Sequence, residues 1–261
     1  MNPAVFLQSV SADYSGRPAL HHVSASFAAG AVTAVVGPNG AGKTSLFRAM
    51  LGLLPSRGVI RILDRDLKSW SGSGLARTMA YLPQGADAHW PVTARRLVAL
   101  GRIPHRKSFA PPTVEDDAAI EDALLRCEAV AFADRAIDEL SAGERARVLL
   151  ARALATNAAI LLADEPAAHL DPAHQLQLME LLRAEARRGT AVIVTLHDLA
   201  LAARYCDDVV VMQAGQVATQ GVPDLALSDE ILARVFGIGA VRVAGDAGRA
   251  QLVACRPLGF A

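Results

Sequence analysis

The sequence predicts an α/β fold with a mostly parallel sheet core, an N-terminal antiparallel β subdomain and a helical insertion. Three observations carry this. Short apolar runs at residues 31–36, 160–163 and 191–196 have the character of strands buried on both faces, as parallel sheets require. Residues 5–11 and 23–27 instead alternate apolar and polar side chains, the mark of half-buried antiparallel strands. From residue 85 to about 139 prolines cluster (Pro91, Pro104, Pro111, Pro112) and helical segments near 94–100 and 115–127 replace strands. The 261 residues suffice for one large domain, or a domain with a small lobe, and for a substantial core.

Composition excludes several classes. Acidic and basic residues balance at 26 each, so no global field recruits nucleic acid or anionic lipid. Cys127, Cys206 and Cys255 are odd in number and lack metal-ligand spacing; they read as reduced, part-buried thiols of a cytosolic protein. The N-terminus lacks the basic-then-apolar layout of a signal peptide. No run of ~18 apolar residues could span a bilayer. Work at a membrane therefore needs a partner that holds the chain there.

Along the chain, the alternating segments flank a turn at Tyr14, Ser15, Gly16, Arg17 and Pro18. Tyr14 closes that turn, or offers a platform for a flat base. The run 31–36 leads into Gly37-Pro38-Asn39-Gly40-Ala41-Gly42-Lys43-Thr44, followed by Leu46, Ala49, Met50 and Leu53 at helical spacing. Strand, glycine-rich turn and helix in that order are the context a G-x-x-x-x-G-K-[ST] phosphate loop requires. Gly37, Gly40 and Gly42 let the backbone fold around a phosphate with its N–H groups inward. The positive end of the helix adds to that field. Lys43 supplies a mobile charge for β/γ-phosphates and Thr44 a hydroxyl for magnesium. The core is thus expected to be a P-loop NTPase core.

Residues 59–63 read as a strand, 75–79 as a short helix, and 80–82 as a strand that Pro83 and Gln84 end. Glu115, Asp116 and Asp117 suit a helix N-terminus, and Arg106-Lys107 reads as solvated surface. Ser141 caps the clearest helix, running to about residue 155, and Glu144 completes a capping box. That local role suffices; a functional one requires an anion delivered to the same helix end. The strand at 160–163 ends in Asp164-Glu165-Pro166. Adjacent carboxylates there are costly unless they meet a cation or a polar site, and open parallel sheets bind ligands at that edge. Asp164 then suits magnesium beside Thr44, and Glu165 suits orienting or deprotonating water; a turn with both acids in solvent is the alternative. A helix at 172–188 starts on Pro172 and ends at Gly189. The strand at 191–196 closes with His197, which is structural or reaches a γ-phosphate from the same edge. A hairpin joins 209–212 to 217–219 through Ala214-Gly215, a last short helix starts at Ser228, and one edge strand follows at 251–255.

Over about residues 5–237 the chain resembles the nucleotide-binding subunit of an ATP-binding-cassette transporter. Six ordered features carry the resemblance: Tyr14, the phosphate loop, Gln84, Leu140-Ser141-Ala142-Gly143-Glu144, Asp164-Glu165, and His197. It implies ATP and magnesium as cofactors. Tyr14 would stack on adenine, and Gly37, Pro38, Asn39, Gly40, Ala41, Gly42, Lys43, Thr44 and Ser45 would hold the phosphates. Thr44 and Asp164 would serve the metal, and Gln84 would touch the metal or the attacking water and report to the membrane subunit. Glu165 would be the catalytic base and His197 the γ-phosphate contact, with Lys43 also catalytic. Ala142 and Asp171 would also belong to the nucleotide site. Ser141 and Gly143 would bind the γ-phosphate of an opposite subunit, in a head-to-tail homodimer or a pair with a close paralogue. Residues 1–237 would form the ATPase domain, with a helical subdomain inserted at about 85–140, and residues 238–261 a small C-terminal extension.

The usual LSGGQ is Leu-Ser-Ala-Gly-Glu here. Ala142 favours helix over glycine by roughly 0.8–1.0 kcal/mol, and Gly143 is kept. The loop Ala167-Ala168-His169-Leu170-Asp171 departs where Ser or Thr and then Ser-Ala would be typical, which bears on subunit communication more than on ATP binding. The octet from Val98 to His105 is an ordinary helix end stopped by glycine and proline, or, like the stretch Tyr81-Leu82-Pro83-Gln84, a point of similarity to importers of iron–siderophore complexes, haem and cobalamin. This implies an ATPase at the cytoplasmic face of the membrane, held peripherally by permease subunits. An extracytoplasmic binding protein would act indirectly, and nucleic acid not at all. An iron–siderophore or related iron complex is the implied cargo, with haem or cobalamin as alternatives. A soluble cassette ATPase without a permease is a rival, but neither tandem cassettes nor long coiled-coil insertions are present. A small-molecule phosphotransferase is another, and leaves the Leu140–Glu144 motif without a role.

Overall fold

The computed structural model describes residues 3–14, 16–85, 92–107, 111–244 and 250–257; Ser15, Pro91 and the side chain of Cys255 lie outside them. The chain opens with β1 (Val5–Tyr14), β2 (Arg17–Phe27), β3 (Val32–Val36) and α1 (Lys43–Met50), then β4 (Ser56–Ile62), β5 (Arg65–Asp66), α2 (Gly72–Thr78) and β6 (Met79–Leu82). The insertion carries α3 (Ala94–Ala99) and α4 (Val114–Arg126), and leads into α5 (Ala142–Leu154). After it come β7 (Ile160–Asp164), α6 (Pro172–Arg187), β8 (Ala191–Thr195), α7 (Leu199–Tyr205), β9 (Asp208–Gln213) and β10 (Gln216–Gly221). Two short helices, α8 (Pro223–Ala226) and α9 (Asp229–Ile231), precede β11 (Ile238–Ala244) and β12 (Ala250–Pro257).

The central sheet has the order β10-β9-β3-β8-β7-β6, parallel throughout except for the β9–β10 hairpin. Its inner strands are buried on both faces, so side chains alternate between two cores. On one face Val35, Ile160, Leu162 and Ile193 meet Leu46, Phe47 and Met50 of α1. The same cluster holds Val5, Leu7 and Val10 of the second sheet, whose antiparallel order is β2-β1-β4-β5. Helix α1 is therefore walled between two sheets. On the other face Val32, Ala34, Leu161 and Val192 pack with Val148, Leu149, Leu178 and Leu182 of α5 and α6. The insertion joins β6 to β7, adjacent parallel strands with Met79 opposite Ile160.

Four features differ from the sequence reading. β1 and β2 are longer than the alternating segments, because register shifts between Leu7 and Val10 and between Ala12 and Asp13 break the two-residue period. Helix α1 ends at Met50, and Leu53 lies beyond it, 68% exposed. Helix α7 was not foreseen; Asp198 starts it by accepting from the Ala200 and Leu201 amides. The C-terminal segment forms a hairpin instead of a single strand, Ile238 pairing with Pro257, and its Leu252 is buried with Val235 in the larger core.

The octet from Val98 to His105 has a structural explanation. A Cβ on Gly101 would overlap the carbonyl oxygen of Arg152, so glycine lets this turn lie against the end of α5. Arg102, 7% exposed, donates to the Ala155 carbonyl at 2.8 Å and pairs with Asp116 at 2.9 Å. His105 Nε2 meets the Thr156 carbonyl at 2.8 Å, and the Thr156 hydroxyl donates to the Gly101 carbonyl at 3.1 Å. The Ala155 carbonyl at the C-terminal end of α5, where carbonyls lack partners within the helix, is thus gripped by a guanidinium whose charge also complements the helix dipole.

Candidate active site at the sheet edge

Strands β3, β8 and β7 are parallel neighbours, so Gly37, Leu196 and Glu165 emerge at one C-terminal edge. The glycines of the first loop are required by its shape. Gly40 and Gly42 have φ of 77° and 100°, a region that residues with a Cβ avoid. A Cβ on Gly42 would also lie 2.9 Å from the Ala19 carbonyl, and one on Gly37 would overlap the Met212 carbonyl. Lys43, only 6% exposed, folds back over the loop, its Nζ donating to the Gly37 carbonyl at 2.8 Å and the Pro38 carbonyl at 3.3 Å. Burial lowers its pKa below the usual lysine value, while the charges of Glu165 and Asp164 act to raise it. That ammonium therefore faces both acids electrostatically.

Asp164 is 1% exposed. Its Oδ1 accepts from the Thr195 hydroxyl at 2.7 Å and its Oδ2 from the Tyr81 hydroxyl at 3.4 Å. Burial and the Asp164 charge push the Tyr81 phenol up to about 12, so it stays a donor. Glu165 has φ of 50°, an uncommon conformation for a residue with a side chain and a feature of functional turns. Its amide donates to the Thr195 hydroxyl at 2.7 Å. Its carboxylate is shared, Oε1 with His197 Nε2 at 2.5 Å and Oε2 with Gln84 Nε2 at 2.5 Å.

These groups face one cleft of about 780 Å³, lined by Asn39 to Ser45 of the loop together with Gln84, Glu165, His197, His21 and Gly215. The structure thus brings together the phosphate loop, Gln84, Glu165 and His197, with Asp164 in the layer beneath. Tyr14 stands outside that lining, 53% exposed, with the Arg48 guanidinium 5.8 Å from its ring centre. Ser141, Ala142, Gly143 and Asp171 do not line it either. Ser141 and Glu144 make the expected capping box, Glu144 N to Ser141 Oγ at 3.3 Å and Ser141 N to Glu144 Oε2 at 2.9 Å. Ala142 and Glu165 both border a separate hollow of about 180 Å³. Asp171 caps α6, accepting from the His174 amide at 3.0 Å.

Sequence reasoning missed Thr195 and Tyr81. The signal for Thr195 was present: a hydroxyl ends an otherwise apolar strand, in register with Asp164. The donor set suits a nucleotide with a hard divalent cation. Oxygen ligands from Thr44, Asp164 and Gln84 are of the kind magnesium takes, and the buried ammonium and glycine cradle suit polyphosphate.

A family model described as ABC transporter matches residues 20–168. The chain is 47% identical over 224 residues to the hemin import ATP-binding protein HmuV of Rhodococcus jostii (strain RHA1), covering 85% of this chain and 76% of that protein. Its backbone is similar to a chain from an inward-facing structure described as a metal-chelate type ABC transporter, with a TM-score of 0.84, 23% identity and 97% of each chain covered. It is also similar to the cassette MJ0796 in a dimeric post-hydrolysis state bound to ADP and Pi, with a TM-score of 0.72, 25% identity, and 84% of this chain and 98% of that one covered.

Proposed function

This chain belongs to the ABC transporter family, and we propose that two head-to-tail copies of it hydrolyse ATP to drive uptake of an iron complex, haem foremost, through a membrane permease. The observation that carries the ATPase chemistry is the shared cleft in which Lys43, Gln84, Glu165 and His197 meet. Lys43 exchanges its loop carbonyls for the β/γ-phosphates, and the loop amides and the start of α1 add fixed positive potential. Thr44, Asp164 and Gln84 would hold magnesium, which would neutralise phosphate charge. Glu165, held from both sides by His197 and Gln84, orients the attacking water and accepts its proton. His197 turns to the γ-phosphate, and Tyr14 takes the adenine ring on its exposed face.

The Ser141–Gly143 turn lies outside this cleft, which supports a second copy as the source of its anion. The similarity to a cassette described as dimeric supports a pair of copies. Residues 1–237 are taken as the cassette domain, with the insertion at about 85–140 and residues 238–261 as its extension. Among the described residues no helix is long and apolar enough to cross a membrane, so the permease would hold the subunit at the cytoplasmic face. Haem as cargo is supported by the 47% identity to a hemin import protein.

Glu165→Gln tests the core of this. The variant is expected to bind ATP, to run as a dimer by size-exclusion chromatography with ATP and magnesium, and to hydrolyse about 10²-fold or more slowly. A monomer hydrolysing at the unmutated rate rejects the role.

A further inference from the structure

We propose that His174 is a positioning residue: its imidazole props the first turn of α5 against the loop that follows Glu165, so that Glu165 and the Ser141–Gly143 turn of one chain keep a fixed spacing. The proposal rests on the two-copy ATP reading above. His174 lies in the first turn of α6, and the Asp171 carboxylate holds it twice. One oxygen accepts from the His174 amide at 3.0 Å, the other meets Nδ1 at 2.6 Å. With a carboxylate on that side, Nδ1 carries the ring proton, and the ring cannot swing away without losing this partner.

The opposite edge of the ring meets α5. A Cβ built on Gly143 would overlap His174 Cδ2, Nε2 and Cγ, so the imidazole fills the space a side chain there would need. Gly143 is buried, and its φ is not in the left-handed region. The backbone conformation at 143 therefore does not demand glycine, but the ring leaves no room for a Cβ there. On the other side, the Ala168 amide donates to the Glu165 carbonyl at 3.1 Å, and Gln175 Nε2 donates to the carbonyls of Ala167 at 3.3 Å and Leu170 at 3.1 Å. The loop from Glu165 to Asp171 is thereby tied to the start of α6, and His174 continues the tie to Gly143. The turn that would receive a second copy's phosphate and the base for the chain's own ATP are thus joined within one chain.

A double-mutant cycle on the full chain tests this, with kcat and KM for ATP and with calorimetric ATP affinity to show that each variant keeps its phosphate loop intact. His174→Ala is expected to lower kcat about fivefold to tenfold with KM within about twofold, because the loop that binds the chain's own ATP is untouched. Gly143→Ala is expected to fall further. The double variant, with the ring removed, is expected to recover at least about threefold over Gly143→Ala, the non-additivity that residues in contact show. Unmutated kcat in His174→Ala, or a double variant no faster than Gly143→Ala, overturns the proposal. Failure of the two-copy reading shows separately, as an unmutated chain that forms no dimer with ATP and magnesium.

Discussion

Among single residues, Thr195 has the most to explain. Its hydroxyl, fully buried, is the joint between the two acids, donating to Asp164 and accepting from the Glu165 amide. Glu165 sits at a positive φ that costs of order 1 kcal/mol or more and persists only when its surroundings hold it. Thr195→Val keeps the shape and removes the hydroxyl, leaving a buried carboxylate oxygen and an amide without their partner. The expected outcome is a fall in kcat of about tenfold or more, as a misplaced catalytic group gives, with unfolding stability lowered by about 1–3 kcal/mol. Parallel measurement of ATP turnover and thermal unfolding checks both. Lys43, Asp164, Glu165 and His197 could be placed on one edge from the sequence because the order of strands, turns and helices sets it, while their roles came from the family resemblance. Thr195 was legible only as a hydroxyl closing an apolar strand, and His174 not at all, because strand register and helix packing bring them to Asp164 and Gly143.

Among elements, α5 is held at both ends, by its own capping box at Ser141 and Glu144 and by Arg102 at the Ala155 carbonyl. Its capping box was foreseen, since both partners lie within four residues. The clamp on its other end was not, because Gly101, Arg102 and His105 meet a helix terminus far along the chain, at Arg152, Ala155 and Thr156. Asp116 is central to that clamp. The Thr113 amide, and then the Arg102 guanidinium, hold its carboxyl below the usual aspartate value of 3.8. A depressed carboxylate stabilises the fold above the ordinary range and ceases to do so as pH falls through its lowered value. Asp116→Asn leaves Arg102 buried without its counter-charge, at a cost of about 3 kcal/mol near neutral pH. Thermal unfolding of the variant and the unmutated chain should differ most near about pH 7 and converge as the pH drops below the aspartate range. A gap that widens on acidification would contradict the assignment.

At the scale of the whole molecule, the layers follow from the pattern of apolar runs, but the C-terminal hairpin does not. Glycines at 237 and 239 and an arginine at 242 weakened the strand signal of β11; Leu252 is buried in the larger core, Ile238 and Ala240 pack against it, and Arg242 pairs with Asp229 and donates to the Leu227 carbonyl. The cargo assignment also belongs to this scale, since it concerns an assembly. Cells lacking the chain are expected to lose growth on haem as sole iron source while keeping growth on ferric salt; unimpaired growth on haem would remove haem from the proposal. The short turn that grips α5 also presents Leu100 and Ile103 to solvent, 50% and 59% exposed, on the outside of the molecule. Through a guanidinium and a close backbone seat, that exposed pair lies one turn away from the tail of a rod about 20 Å long, and the same unbroken helix ends at Ser141.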